Sequence, residues 1–136
     1  MTETRYGFGI EFHGASFDEA VARVTNALKA EGFGVLAEID VKETLKKKLD
    51  VDFRRYVILG ACNPQLAKQA LEAEPQIGLL LPCNVVVQEA LEGGITVSIA
   101  DPKVMFTFVD NPAVAPVAEE AEQRLRRVIS ALGSKE

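Results

Sequence analysis

The chain has 136 residues, of which 48% are hydrophobic and 26% charged. That is the size and composition of one globular domain, long enough to bury most of its unfolded surface without cross-links and far from the disordered class. Fifteen basic against twenty acidic residues leave a formal charge of -5, so a phosphate backbone would meet net repulsion and no nucleic-acid partner is expected.

Residues 6–12 read as a first strand, with Tyr6, Phe8, Ile10 and Phe12 alternating against Gly7, Gly9 and Glu11. Ser16-Phe17-Asp18-Glu19 is a capping box, and the helix it starts carries Phe17, Val21, Val24 and Leu28 on one stripe until Gly32 stops it. Residues 33–39 alternate again, which predicts a strand with Phe33, Val35, Ala37 and Ile39 on one face. Asp40 with Glu43 repeats the capping pattern for a shorter helix striped by Val41, Leu45 and Leu49. Residues 56–61 are nearly all apolar, the pattern of a strand in the middle of a sheet.

Asn63-Pro64 is an N-cap followed by a first-turn proline, and the helix it opens carries Leu66, Ala67, Ala70 and Leu71 before Glu74-Pro75 breaks it. Residues 83–90 and 95–100 predict a hairpin around Gly93-Gly94. Residues 105–109 predict one further strand. A last helix follows Asp110-Asn111-Pro112 and runs to Leu132, striped by Val117, Ala121, Leu125, Val128 and Leu132. Its acidic Glu119, Glu120 and Glu122 precede Arg124, Arg126 and Arg127, which suits the helix dipole and sets Glu-to-Arg pairs four apart.

Strands follow one another in the second half, which excludes a doubly wound α/β fold. No linker or composition break divides residues 1–136, so a single domain is expected. Helices with one apolar stripe each predict a two-layer α+β sandwich, a mostly antiparallel sheet with helices on one face. The other sheet face is then solvated or covered by a second subunit. The longest apolar run, from Ile77 to Leu81, stops at Pro82 and is too short to span a bilayer. The first residues, Met1-Thr2-Glu3-Thr4-Arg5, show no leader pattern, so the expectation is a cytoplasmic protein with no membrane partner.

The two cysteines occur in near-copies of one environment, Gly60-Ala61-Cys62-Asn63-Pro64 and Leu81-Pro82-Cys83-Asn84-Val85. Each Cys-Asn pair sits where an apolar run meets a turn signal, a place where scaffolds hold polar groups at a pocket mouth. In a reducing compartment both are expected as free thiols. Cys62 precedes a helix N-terminus, which would stabilise a thiolate, but no Cys-x-x-Cys motif accompanies it. Structural zinc takes four closely spaced ligands, whereas these cysteines are isolated and His13 is the single imidazole, with Glu11, Asp40 and Asp101 as oxygen donors; no metal site is expected. Lys42, Lys46, Lys47 and Lys48 read as a solvated helix face. Gly7-x-Gly9 and Gly32-x-Gly34 lack the spacing of a phosphate-binding fingerprint and mark strand ends.

With these motifs placed, the chain resembles the bacterial and archaeal domain of unknown function 302 family. The resemblance rests on Ser16-Phe17-Asp18-Glu19-Ala20-Val21, Gly32-Phe33-Gly34-Val35-Leu36, Glu38-Ile39-Asp40-Val41-Lys42, Leu45-Lys46-Lys47-Lys48-Leu49 and, most specifically, the two blocks Ile58 to Pro64 and Leu81 to Val87. It implies a compact α+β domain of TATA-box-binding-protein-like architecture, forming a homodimer, with no assigned activity or cofactor. The leading expectation is a non-enzymatic homodimeric module that binds a small ligand in a pocket near Cys62 and Cys83, or regulates a partner. Cys62 and Cys83 would line that pocket, Asn63 and Asn84 would hydrogen-bond the ligand, and Lys48 would supply charge. Two alternatives stand beside it: a redox or acyl-transfer enzyme using Cys62, and a purely structural or interaction protein with buried cysteines.

Overall fold

The computed structural model describes residues 4–133. Five strands, β1 (Gly7–Phe12), β2 (Gly34–Asp40), β3 (Tyr56–Cys62), β4 (Cys83–Glu89) and β5 (Ile95–Ala100), form one sheet in the order β1-β5-β4-β3-β2. Every neighbouring pair is antiparallel. Between and after them run α1 (Phe17–Ala30), α2 (Val41–Leu49), α3 (Pro64–Ala73), the four-residue α4 (Pro102–Met105) and α5 (Ala115–Gly133), with 3-10 turns at Pro75–Leu80, Phe106–Phe108 and Pro112–Val114.

The helix boundaries are local chemistry. The Glu19 N–H donates to Ser16 Oγ at 3.1 Å and the Ser16 N–H to Glu19 Oε1 at 2.9 Å, so the capping box satisfies two otherwise unpaired donors of α1. At its other end Gly32 adopts φ +86°, its N–H donates to the Lys29 carbonyl and the Phe33 N–H to the Leu28 carbonyl. This is a Schellman termination, and it drops the buried Phe33 against the core. Gly93 and Gly94, at φ +96° and +81°, close the β4–β5 connection.

The core lies between the sheet and the layer of α1 and α5. Val57, Leu59 and Ala61 of β3, Val85 and Val87 of β4, and Val97 and Ile99 of β5 point into it and meet Val24, Leu28, Leu125 and Val128 from the helices. The Arg23, Arg55 and Arg126 guanidiniums lie 4.1–4.4 Å over the rings of Phe12, Phe17 and Phe8, closing the edges of this core with charged tips in water. A smaller cluster, including Ala70, Ile77, Phe106 and Val117, joins α3 and the segment after β5 to the start of α5.

Three expectations from the sequence are corrected. Residues 105–109 form no strand: Asp101 caps the Lys103 N–H, Pro102 takes the first helical position, and the chain turns through α4 into the 3-10 segment. Both edges of the β4–β5 hairpin are in any case already occupied, by β3 and β1. The alternation of β2 breaks at a bulge between Val35 and Ala37. Val35 stays on the core side opposite Ala61, but Ala37 and Ile39 pair with Gly60 and Ile58 and so turn to the other face, leaving Leu36 72% exposed. Finally, α2 fully buries none of its residues: Val41 and Leu45 are half-buried and Leu49 stays on the surface.

The face away from the helices carries Gly7 and Gly9 from β1, Thr96 and Ser98 from β5, Asn84, Val86 and Gln88 from β4, Tyr56, Ile58 and Gly60 from β3, and Ala37 and Ile39 from β2. Small and apolar side chains occupy its middle and polar ones its ends. A Cβ on Gly9 would stand 2.0 Å from the Val97 carbonyl oxygen, so only glycine lets β1 pass that close to β5.

Candidate functional site

The two Cys-Asn pairs meet where β3 ends and β4 begins. Ala61 lies opposite Cys83 and Gly60 opposite Asn84. Paired residues share a face and successive residues alternate, so the two pairs stand in opposite phase. Asn63 and Cys83 turn toward the helices, while Cys62 and Asn84 turn toward the open side. Burial follows: Asn63 is 7% exposed, whereas Asn84 is exposed. The repeat seen in the sequence therefore does not make one pocket with two equivalent arms.

It makes two spaces instead. The inner one, about 30 Å³, is bounded by Phe33, Asn63, Leu66, Cys83 and Phe106, with Cys62 at its rim. That holds about one water and no organic ligand. The outer cleft, about 160 Å³, lies between the 3-10 segment Pro75–Leu80 and α4, lined by Leu79, Pro82, Cys83, Asn84, Ala100 and Met105. Cys83 borders both. A Cβ on Gly60 would fall 2.8 Å from Pro82 Cγ, so glycine at 60 is what lets Pro82 lie on the sheet and wall the cleft.

Each predicted site residue has a definite place. Asn63 is occupied with capping: its Oδ1 accepts the Leu66 N–H at 3.2 Å. Asn84 lines the outer cleft with no such duty. Burial pushes the Cys62 thiol up. Burial, and secondarily a charge on Cys62, pushes Cys83 up to about 11. Both thiols are free. At Cys62 the effect of burial thus outweighs that of the helix terminus that follows it, and neither thiol is shifted toward the thiolate.

Lys48 is not brought to the cysteines. Its helix α2 leaves β2 at Asp40, which pairs with Val57, whereas Cys62 lies five residues along β3 at the other end, roughly 17 Å away. Ion pairs of Lys46 with Asp50 and Asp52, and the bond from Lys42 Nζ to the Phe53 carbonyl, hold α2 to the loop at that far end. His13 pairs with Glu11 at 3.5 Å, also far from Cys83, because β1 ends opposite Ile95. Among the described residues no group of three or more His, Cys, Asp or Glu side chains is arranged to hold a metal ion.

Sequence reasoning missed Ala100, Met105 and Phe106 as cleft walls. Asp101-Pro102, a cap followed by a first-turn proline, was the signal that could have found them, since it converts the expected strand into a turn packed beside Pro82.

Comparison with known proteins places this arrangement. Residues 9–132 match the family described as Domain of unknown function DUF302. The chain belongs to the DUF302 family. No curated protein matches it significantly. A solved structure similar to this DUF302 chain is that of an uncharacterized conserved DUF302 protein from Bacillus stearothermophilus, with a TM-score of 0.84 and 30% sequence identity over 93% of this chain and 98% of that one. The α+β architecture of the DUF302 domain, with its antiparallel sheet, is thus common to both. No helix among the described residues is long and apolar enough to cross a membrane.

Proposed function

We propose that this DUF302 domain is a non-enzymatic homodimeric binding module, in which two copies stack their open sheet faces and each keeps a small ligand cleft beside Cys83 and Asn84. The observation that carries the reading is the open face itself. Its middle strands carry Ile58, Val86 and Ser98 beside Gly60, Ala37 and Ile39 continue the apolar surface onto the edge strand β2, and its ends carry Gln88, Thr96, Asn84 and Glu11. An apolar centre with a polar rim is the anatomy of a protein interface. Five strands about 4.8 Å apart and about six residues long project roughly 500 Å² per copy, which pleating and flanking loops raise toward the roughly 800 Å² per partner of a stable complex. Two antiparallel sheets stack in this way at about 10 Å. The pocket itself is the outer cleft rather than the inner space, because only the former has room for more than water.

Light scattering on the purified protein and on Val86→Lys tests the reading. Wild type is expected at twice the chain mass at micromolar concentration, and Val86→Lys at the chain mass with unchanged far-UV circular dichroism. A monomeric wild type would sink the dimer.

A further inference from the structure

The cleft between Pro75–Leu80 and α4 carries more information than its position. No lining side chain is charged: around Cys83 and Asn84 stand leucines, Pro82, Ala100, Pro102, Met105 and Phe106. The cleft is open on the side of Leu79, Pro82 and Asn84, and an ionised ligand seated in it would give up part of its hydration with no counter-charge to replace it. The volume of about 160 Å³ is that of one aromatic ring with a small substituent, since an apolar cavity of roughly 150 Å³ accepts benzene. Met105 supplies a polarisable thioether and Phe106 a ring edge or face, both of which favour an aromatic occupant. Asn84 is the single lining side chain that offers strong hydrogen bonds, and its amide both donates and accepts, as a hydroxyl does. Unlike Asn63, it has no capping bond to give up.

We infer that this cleft binds a small neutral aromatic molecule bearing one hydroxyl, a ligand of the phenol class, with the ring between Met105, Phe106 and Pro82 and the hydroxyl on the Asn84 amide. The inference rests on the reading of the domain as a binding module and names its ligand chemistry. Cys83 closes the floor of the site as a protonated thiol and takes no covalent part.

The test is a nuclear magnetic resonance titration of the full chain with phenol, reading the Met105 methyl and the Asn84 side-chain amide. The sequence holds only two methionines, so the methyl signals are easily told apart. Phenol is expected to shift both signals saturably, and benzoate, of the same size but charged, to leave them in place. Asn84→Leu should weaken phenol binding about fivefold, the worth of one hydrogen bond, while leaving toluene binding unchanged. Ala100→Leu should fill the cleft and abolish binding of both. If that variant fails to fold, Asn84→Leu, at an exposed position, carries the test alone. No saturable shift with phenol, equal binding of benzoate, or parallel losses of phenol and toluene in Asn84→Leu would each overturn the inference. Light scattering on the same samples separates it from the dimer: a monomer that binds phenol removes only the dimer, and a dimer that ignores phenol removes only the ligand.

Discussion

The two faces of the sheet are built by different rules. On the helix side, Val57, Leu59, Val85, Val87, Val97 and Ile99 are at most 3% exposed and interlock with α1 and α5. On the other side the same strands carry glycines, Ala37, Ser98, Thr96 and Gln88, with Ile58 and Val86 only half-buried among them. Large side chains fill space against a helix layer, and small ones let another surface approach the sheet closely. The chain's own stability is therefore vested in one face, and the proposed dimer would rest on the other. The Cys-Asn pairs straddle the division, which is why one asparagine is a structural cap and the other lines a cleft.

Adjacent residues of β3 break this comparison most sharply. Leu59→Ala empties a fully buried position and should lower the unfolding free energy by about 2–5 kcal/mol, read by urea denaturation. Ile58→Ala, its neighbour on the open side, should cost the folded monomer about 1 kcal/mol or less and instead raise the dimer dissociation constant about tenfold or more by sedimentation. Equal losses of monomer stability from both would mean that the two faces are not separated as described.

The cysteines extend the comparison to pH. Cys83 is held protonated up to about 11 in the folded protein, against an ordinary value of 9.0. Between these values the unfolded chain releases a proton that the folded one keeps, so folding stability is intact below about pH 9 and falls as pH rises toward 11. The loss is on the order of 2 kcal/mol. It should appear as a difference between wild type and Cys83→Ala in urea melts across that range, and a parallel pH dependence in the two proteins would contradict it. Iodoacetamide at neutral pH should label both thiols more slowly than a free cysteine, since burial raises both.

Much of this division was legible in the sequence, wherever it depended on neighbours in the chain. The capping box at Ser16, the Gly32 stop, the Asn63-Pro64 cap and the long stripe of α5 are local patterns, and each formed as its chemistry required. What could not be read depended on strand pairing. The phase of Cys62-Asn63 against Cys83-Asn84 is set by the Ala61-to-Cys83 register, which nothing within either block specifies. The bulge at Leu36 has no marker such as a glycine, yet it moves Ile39 from the expected core face to the open one. Lys48 looked close to the cysteines only because the helix carrying it precedes β3 in sequence; an antiparallel return places it at the opposite end.

The smallest effects separate the polar residues. Asn63→Ala removes the cap of α3 from a buried position and should cost about 1–2 kcal/mol, whereas Asn84→Ala, on the surface, should change stability by no more than about 0.5 kcal/mol. Lys48→Ala should fall within the same narrow limit, because α2 fully buries none of its residues, and it should leave the phenol titration of the Met105 methyl unaltered. A shift in that titration would mean that charge on α2 is felt at the cleft. The start of α2 lies opposite Val57, roughly 17 Å along β3 from Cys62 and about twice the screening length at physiological salt, so no such influence is expected.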